Sequence, residues 1–274
     1  MTDRYAVIGN PIGHSRSPRI QTAFAQATAQ DMLYEAILSP LDGFRQVVSD
    51  FFATETGKGL NITLPFKEQA YELSDVKSLR ATQAGAVNTL MKGKDGRLYG
   101  DNTDGIGLVR DMTQNLGWTL EAKRILVVGA GGAVRGVLGS LLAQKPSQLW
   151  VVNRTYSKAQ NLANIFRAYG NIDAIRFEEV LPNSVDVIIN GSSSSLQGEL
   201  PPLLDGILVE GACAYDMAYG KPDLPFLVWA QTQGATISDG LGMLIEQAAE
   251  SFFIWRDIRV ESTSLLAELR DELG

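Results

Sequence analysis

Residues 124–136 read RILVVGAGGAVRG, and this stretch decides the fold that the sequence predicts. The apolar run that ends at Val128 is typical of a buried strand, and a helix is expected to start among the glycines. Small residues in such a turn let the backbone approach a pyrophosphate, whose negative charge a helix N-terminus favours. The stretch departs from the dinucleotide fingerprint G-x-G-x-x-G at its last position, which is Val134. Because glycine turns before helices are common, this stretch alone leaves dinucleotide binding open.

The end of the next predicted strand favours NADP over NAD. NAD-binding folds carry an acidic ribose ligand about 20 residues after the glycines. Here residues 153–158 read NRTYSK and contain no carboxylate. Arg154 offers a planar guanidinium that suits a 2′-phosphate, and Lys158 adds positive charge one helical turn later. The alternative is a solvated helix start, but the helix dipole disfavours cations in a first turn, so a bound phosphate explains them better.

Apolar runs and helical patterns alternate on both sides of this stretch, which predicts an α/β protein. We expect Ser17 to be the N-cap of the first helix, with Pro18 in its first turn. Strands are expected at residues 5–8, 33–38, 60–63, 124–128, 149–152, 185–189 and 213–215, and a hairpin at 87–91 and 97–99 around Asp95-Gly96. Helices are expected at residues 18–30, 41–53, 107–115, from the glycine-rich turn to about 144, at 157–169, from 241 onward, and at 264–272.

The length of 274 residues exceeds the usual size of one domain, so two domains are expected, although length alone also allows a single α/β barrel. We predict an N-terminal α/β substrate-binding domain of residues 1–103, to which the C-terminal helices of residues 241–274 return. Residues 104–240 are predicted to form a Rossmann-type, doubly wound NADP-binding domain.

The composition excludes several classes of function. A formal net charge of −7 argues against a nucleic-acid or anionic-membrane partner. One cysteine, Cys213, allows no intramolecular disulfide or thiolate metal cluster, and one histidine, His14, argues against a histidine metal site or a Ser-His-Asp triad. The sequence starts without the apolar run of a signal peptide, and no stretch has the length of a membrane span. We therefore expect a cytoplasmic enzyme that binds no metal.

Two polar, turn-rich segments point to the chemistry. Residues 61–67 read NITLPFK and residues 100–105 read GDNTDG, each at the C-terminal edge of a predicted strand, where open α/β sheets bind ligands. The amine of Lys67 and a carboxylate that meet there would form a proton-transferring pair. Lys67 alone would be one of 24 lysines and arginines, most of them solvated. Together with the glycine-rich stretch, these segments indicate a two-domain oxidoreductase.

Five segments together resemble the shikimate dehydrogenase family across essentially the whole chain. They are residues 9–18 (GNPIGHSRSP), 61–67, 85–89 (GAVNT), 100–105 and 239–244 (DGLGML), the last followed by Gln247. Several of these segments are weak singly, but their order and spacing together are specific. The resemblance implies the NADP-linked, reversible reduction of 3-dehydroshikimate to shikimate, in the pathway to chorismate and the aromatic amino acids.

The resemblance also implies a role for each matching residue. It makes Lys67 the general acid/base, with Asp104 beside it. Ser15 and Ser17 would hold the substrate carboxylate. The implied ligands of the ring hydroxyls are Thr63, Asn88, Asp104, Tyr219 and Gln247. The implied cofactor residues are Gly129, Ala130, Gly131, Gly132, Ala133, Asn153, Arg154, Thr155 and Lys158, with Met217 and Gly240 near the nicotinamide.

Local sequence leaves simpler interpretations open. Ser15 and Ser17 can cap the first helix, Asn88 can be a turn residue, and Tyr219 can be an ordinary boundary aromatic. The serines at 192–195, after Gly191, depart from the family pattern, and we expect them to shift the contacts with the cofactor in a way that the sequence leaves open.

Other functions stay open as well: a broader quinate/shikimate dehydrogenase, a methylene-tetrahydrofolate dehydrogenase, or a dinucleotide-binding sensor that has lost its chemistry. The presence of Lys67 and Asp104 argues against the sensor, and residues 239–247 give no sign of a pterin pocket. A monomer and a homodimer are both compatible with the sequence.

Overall fold

The computed structural model describes residues 1–221 and 223–273, so Pro222 and Gly274, which fall within the predicted domain ranges, lie outside the described residues. The chain divides into two compact units. Unit one comprises Met1–Gly107 with Ile245–Leu265, and unit two comprises Leu108–Leu244 with Leu266–Gly274. These units differ from the predicted ranges at residues 104–107, which belong to unit one, and at residues 241–244 and 266–273, which belong to unit two. Within that unit an ion pair of 2.9 Å between Arg270 and Asp239 holds this end of the chain.

Unit one is built on a mixed sheet. Its strands are β1 (Asp3–Gly9), β2 (Met32–Leu38), β3 (Gly57–Ile62), β4 (Val76–Lys77), β5 (Thr89–Lys92) and β6 (Leu98–Asp101). Its helices are α1 (Ser17–Ala27), α2 (Phe44–Ala53), α3 (Lys67–Leu73), α4 (Leu79–Ala84) and the first part of α5 (Asp104–Arg110). The described strands lie in the order β2-β1-β3-β5-β6-β4. Strand β1 runs parallel to β2 and β3, whereas β5 runs antiparallel to β3 and β6.

The apolar run in β1 is explained by burial on both faces of this sheet. Ala6 and Ile8 belong to the main core of unit one, whereas Tyr5 and Val7 pack in a smaller cluster on the alternate positions. A strand that is covered on both sides reads as continuously apolar rather than alternating. The C-terminal end of β1 is therefore held firmly, and the loop that follows it starts from a fixed point.

Unit two is built on a parallel sheet. Its strands are β7 (Arg124–Val128), β8 (Gln148–Val152), β9 (Ile172–Ala174), β10 (Val185–Asn190), β11 (Leu208–Asp216) and β12 (Thr236–Ser238). Its helices are α6 (Gly132–Ala143), α7 (Tyr156–Phe166), α8 (Ser194–Gln197), α9 (Pro225–Thr232), the first part of α10 (Leu241–Arg256) and the last part of α11 (Thr263–Leu273). Shorter helical stretches are Asp111–Asn115, Arg167–Tyr169 and Phe177–Glu179.

The strand order of unit two is β12-β11-β10-β7-β8-β9, and every described pair of neighbours is parallel. The chain runs outward from β7 through β8 to β9, and then returns to the other side of β7 with β10. This is the doubly wound order, and its ligands bind at the carboxyl ends of the strands where the order reverses, which here is between β7 and β10. The predicted fold class is confirmed.

Some local predictions were wrong. Helix α1 begins at Ser17, so Arg16 occupies the N-cap position and Ser17 is the first helical residue. The helix expected at 107–115 starts three residues earlier, at Asp104, and its last part is a π-helix. Helices α3, α4 and α8 were not predicted, since each has seven residues or fewer and too few turns for a hydrophobic periodicity. In the described part of the chain, no helix is long and apolar enough to cross a lipid bilayer.

Candidate active site and cofactor pocket

Lys67 is the first residue of α3, and its backbone is fixed from two sides. Phe66, directly before it, is fully buried and stacks on Phe44 with ring centroids 4.7 Å apart. The N–H of Val87 donates to the carbonyl oxygen of Lys67 at 2.9 Å, which ties α3 to the chain that leads into β5. The Lys67 amine therefore extends from a rigid base, beside Asn88.

Asp104 is the first residue of α5 and directly follows the polar turn after β6. Its N–H donates to Oδ1 of Asn102 at 3.1 Å, and Nδ2 of Asn102 donates to the carbonyl oxygen of Ala86 at 3.1 Å. A carboxylate at a helix N-terminus is favoured by the helix dipole. The turn and the helix start together hold the Asp104 carboxylate in one position.

Lys67 and Asp104 form a close ion pair in unit one. Nζ of Lys67 donates to Oδ2 of Asp104 at 2.6 Å, and the two side chains are 28% and 12% exposed. The Lys67 side chain is thus partly open to solvent, so a substrate hydroxyl or carbonyl can approach the pair. An amine held by a carboxylate in this way can give a proton to a bound carbonyl oxygen and take it back.

Asn88 orients the other side of the Asp104 carboxylate. Its Nδ2 donates to Oδ1 of Asp104 at 2.8 Å and to Oγ1 of Thr103 at 2.9 Å, while its Oδ1 accepts from the N–H of Thr103 at 2.9 Å. Oε1 of Gln247, on α10, lies 3.4 Å from Nδ2 of Asn88. The structure thus brings together four predicted site residues, Lys67, Asn88, Asp104 and Gln247.

A buried polar network behind these residues was missed from the sequence. Asn61 donates from Nδ2 to Oγ of Ser251 at 3.0 Å, and Oγ of Ser251 lies 2.8 Å from Oγ1 of Thr89. Oη of Tyr34 donates to Oδ1 of Asn61 at 2.7 Å, and burial raises the pKa of Tyr34 well above its ordinary value. Asn61 starts the quoted segment 61–67, and Ser251 lies one turn after Gln247 on α10. Their positions next to predicted site residues were the sequence signals by which Asn61 and Ser251 could have been found.

Ser15, Ser17 and Thr63 lie in unit one, in and beside the loop between β1 and α1. Oγ of Ser15 accepts from the N–H of Ser17 at 3.3 Å, and Ser17 is buried. Thr63 donates its N–H to the carbonyl oxygen of Ile8 at 2.9 Å, and its methyl group fills the space beside Gly9. The loop that carries the two serines therefore starts in contact with the segment that leads to Lys67.

Tyr219, which is predicted to bind substrate, lies in unit two together with Met217 and Gly240, which are predicted to lie near the nicotinamide. The N–H of Met217 donates to the carbonyl oxygen of Asn190 at 2.9 Å, and the N–H of Gly240 donates to the carbonyl oxygen of Ala218 at 2.9 Å. Met217 and Gly240 are in direct contact, because a side chain on Gly240 would collide with the Met217 carbonyl. Tyr219 is partly buried in the same turn after β11.

A pocket of about 460 Å³ opens at the carboxyl ends of β7 and β10 in unit two. Its lining includes nine of the predicted cofactor residues: Gly129, Ala130, Gly131, Gly132, Ala133, Asn153, Arg154, Thr155 and Lys158. Gly129 has a φ of +111°, and a Cβ there would lie 3.0 Å from the N–H nitrogen of Ser192. Only glycine fits this backbone without strain. The opposite wall of the pocket is formed by Ser192, Ser193, Ser194, Gln197, Glu199 and neighbouring residues, of which the sequence pointed only to the serines.

Two long helices, α6 and α7, start at this pocket. Helix α6 begins at Gly132, so its free N–H groups face the glycine-rich turn. Helix α7 begins at Tyr156, and Nδ2 of Asn153 donates to the carbonyl oxygen of Thr155 at 2.9 Å to shape the turn before it. Arg154 and Lys158 are exposed at the rim. The pocket therefore offers a backbone cradle for a pyrophosphate and two cations for a further phosphate.

Three family models match the chain in order. Residues 7–90 match the shikimate dehydrogenase substrate binding domain, and residues 111–197 match shikimate / quinate 5-dehydrogenase. Residues 240–263 match the shikimate 5′-dehydrogenase C-terminal domain.

Curated relatives and solved structures agree with these matches. A shikimate dehydrogenase (NADP(+)) of Alkalilimnicola ehrlichii is 55% identical over 273 residues, which covers 99% of this chain and 100% of the relative. The crystal structure of an Ael1 enzyme from Pseudomonas putida has a TM-score of 0.94 and 47% identity, over 98% of both chains. A shikimate 5-dehydrogenase from Thermus thermophilus, in complex with NADP(H) and shikimate, has a TM-score of 0.88 and 30% identity over 100% of both chains.

Proposed function

The chain belongs to the shikimate dehydrogenase family, and we propose on that premise that it catalyses the NADP-linked interconversion of shikimate and 3-dehydroshikimate. The observation that carries the proposal is the 2.6 Å contact between the Lys67 amine and the Asp104 carboxylate. The relatives act with NADP(+), and the cofactor of this chain is NADP.

In the proposed mechanism, Lys67 moves the proton. During reduction its Nζ gives a proton to the carbonyl oxygen of the substrate, and during oxidation it takes that proton back from the hydroxyl. Asp104 accepts a hydrogen bond from Lys67 through Oδ2, so it keeps the amine directed at the reacting oxygen. Asn88 holds Oδ1 of the same carboxylate, which prevents the carboxylate from rotating away.

The pocket of unit two fits NADP. Gly131 and Gly132 leave room for a pyrophosphate, because a Cβ at either position would face open space, whereas Gly129 packs against the backbone of Ser192. The N–H groups at the start of α6 would bind that pyrophosphate, and Arg154, Thr155 and Lys158 would bind the 2′-phosphate. When bound, NADP supplies the hydride acceptor or donor. Met217 and Gly240 are proposed to lie against the nicotinamide.

The substrate is proposed to bind in unit one, through hydrogen bonds rather than apolar contacts, because a small polyol acid has few apolar atoms. Ser15 and Ser17 would bind its carboxylate. Thr63, Asn88, Asp104 and Gln247 would bind its ring hydroxyls.

We propose the cytoplasm as the compartment of the enzyme. One cysteine in 274 residues allows no internal disulfide, so the fold needs no oxidising environment. The functional form is proposed to be a monomer or a homodimer, and neither assignment affects the chemistry of Lys67.

The proposal is tested by initial rates of the purified chain with shikimate or quinate, each with NADP or NAD. We expect reduction of NADP with shikimate to be much faster than any other combination. Comparable rates with quinate would indicate the broader quinate/shikimate activity. NADP binding without turnover of either acid would indicate a sensor and would refute the proposal.

A further inference from the structure

The serine-rich loop after β10, residues 191–195, is anchored to a buried carboxylate that the mechanism above does not use. Asp216, the last residue of β11, has no exposed surface. Its Oδ2 accepts from Oγ of Ser195 at 2.5 Å and from Nδ2 of Asn190 at 3.0 Å. Its Oδ1 accepts from the N–H of Ala218 at 2.9 Å. A buried carboxylate with this many donors has one fixed orientation.

Asn190 extends this anchor to the serines that line the cofactor pocket. Its Oδ1 accepts from Oγ of Ser192 at 2.7 Å and from the N–H of Ser192 at 3.1 Å. Oγ of Ser192 in turn lies 2.5 Å from Oγ of Ser194. The hydroxyls of the serine loop are thus satisfied largely by one another and by Asn190, and the wall of the pocket is shaped by this network.

The two oxygens of the Asp216 carboxylate accept hydrogen bonds from two different loops. Oδ2 holds the serine loop after β10, whereas Oδ1 holds the turn after β11 that contains Met217. The two loops also touch each other, since a Cβ on Gly191 would lie 2.8 Å from Sδ of Met217. In a close-packed contact of this kind, neither loop can shift without the other.

We propose that Asp216 is a positioning residue for the cofactor, which fixes the serine loop and Met217 in the arrangement that NADP binds. The inference rests on the proposed cofactor role of the unit two pocket. Burial raises the pKa of Asp216 above its ordinary value, and the hydrogen bonds from Ser195, Asn190 and Ala218 oppose that rise. The carboxylate is therefore held by its donors rather than by solvent.

The test compares Asp216→Asn with Asp186→Asn in the full-length chain. The amide that replaces the Asp216 carboxylate keeps the size of the side chain. It turns a donor toward Ser195 and Asn190 or toward the N–H of Ala218, so the network cannot close. Asp186 is the matched control, because it lies near the start of β10, the strand that ends with Asn190, and accepts from the Arg124 guanidinium at 2.8 Å. Binding of NADP and of NAD is measured by titration calorimetry, together with Tm and the KM for shikimate.

We expect Asp216→Asn to raise the Kd of NADP and the Kd of NAD by the same factor, on the order of tenfold, with the KM for shikimate unchanged. The equal factor separates this effect from loss of a 2′-phosphate contact, which would affect NADP alone. Asp186→Asn is expected to lower Tm without changing either Kd. Should Asp216→Asn lower Tm but leave both Kd values as they are, Asp216 supports only the fold and the inference is wrong.

A less disruptive substitution, Ser195→Ala, keeps the test decisive if Asp216→Asn does not fold. Ser195→Ala removes one donor to Asp216 and leaves the charge in place, and it is expected to weaken both dinucleotides by a smaller common factor. Unchanged binding by Ser195→Ala would overturn the inference. Turnover of shikimate by the wild-type chain is recorded separately, so failure of the proposed reaction is distinguishable from failure of this positioning role. A wild-type chain that binds neither dinucleotide would refute both.

Discussion

The Asp104 carboxylate makes two kinds of contact, and both should matter for catalysis. It holds the Lys67 amine at 2.6 Å and, in the proposed mechanism, also binds a substrate hydroxyl. Asp104→Asn is therefore expected to lower kcat by about 10²-fold or more and to raise the KM for shikimate as well. Steady-state kinetics measure both constants. Asp75→Asn is the control. Asp75 lies in the same unit, and its carboxylate accepts an exposed hydrogen bond from the N–H of Leu98. If only Tm changed in Asp104→Asn, the carboxylate would have a structural role alone.

The position of Ser15 separates substrate binding from helix capping. Helix α1 has Arg16 in the N-cap position and no side-chain cap, and Ser15 accepts a long bond of 3.3 Å from the N–H of Ser17 at the helix start. Ser15→Ala is expected to raise the KM for shikimate by about 10-fold, for a lost hydrogen bond of roughly 1–2 kcal/mol to a charged group, with little change in Tm.

The control for Ser15 is a serine that does cap a helix. Oγ of Ser78 accepts from the N–H of Ala81 at 3.0 Å at the start of α4. Ser78→Ala is expected to cost about 1 kcal/mol of stability and to leave the KM unchanged. Thermal unfolding and steady-state kinetics are measured for both variants. A Ser15→Ala variant that behaved like Ser78→Ala would remove Ser15 from the substrate site.

At the scale of elements, the start of α7 should set the choice of cofactor. Arg154 lies exposed at the rim of the pocket, where it can give two parallel hydrogen bonds to a 2′-phosphate. Arg154→Ala is expected to raise the KM for NADP strongly and that for NAD scarcely, shrinking a preference of roughly 30- to 150-fold. High salt should weaken NADP binding more than NAD binding, since exposed charges are screened.

The other end of α7 provides the control for that experiment. Arg167 follows the helix directly and is 60% exposed, paired with Asp173 at 2.9 Å. Arg167→Ala makes the same change of charge and should leave both cofactor constants unchanged. Equal losses for NADP and NAD in Arg154→Ala would mean that Arg154 supports the fold or the adenine instead.

The N-terminal ends of β7 and β10 are joined by the ion pair of Arg124 and Asp186, and this pair should make stability depend on pH. The pKa of Asp186 is lowered from its ordinary value of 3.8, first by the hydrogen bond from Arg124. A depressed pKa in the folded state means that the stabilisation is present above pH 3.8 and is lost as pH falls through the folded value.

This dependence is measured by comparing wild type with Asp186→Asn. At neutral pH the variant is expected to be less stable by about 0.5–1 kcal/mol, a small value because water screens the partly exposed Arg124. The difference should shrink as the pH is lowered below 3.8. Denaturant unfolding at neutral and acid pH checks this, and a difference that stays constant would show that the ion pair does not cause it.

For the whole molecule, the sequence predicted the parts of the fold that show either a continuous apolar run or a helical period. The buried strands around Val128 and Ile188 and the long helices were predicted because apolar spacing depends only on neighbouring residues. Helices as short as α8 lack that signal. The start of α1 was misplaced by one residue, since both Arg16 and Ser17 precede the same apolar face and sequence alone does not fix which one ends the loop.

The site was predictable where its residues lie in motifs, and not where distant segments meet. Lys67 and Asp104 were predicted from the polar segments 61–67 and 100–105, and in the structure Nζ of Lys67 lies 2.6 Å from Oδ2 of Asp104. Asn61 and Ser251 each lie beside a predicted site residue, but they are 190 positions apart, and no local pattern predicts that the two side chains meet. The anchoring of the serine loop by Asp216 was hidden for the same reason, because it depends on two neighbouring parallel strands.

The role of Lys67 is tested most directly by the turnover of Lys67→Ala with saturating shikimate and NADP, beside its affinity for shikimate. Removal of the proton carrier should lower kcat by roughly 10²- to 10⁴-fold and change shikimate binding much less. Lys58→Ala is the control, because Lys58 donates to the backbone oxygen of Glu55 on the surface of the same unit. It should keep wild-type turnover. A Lys67→Ala variant with near wild-type turnover would contradict the account, since another group would then move the proton.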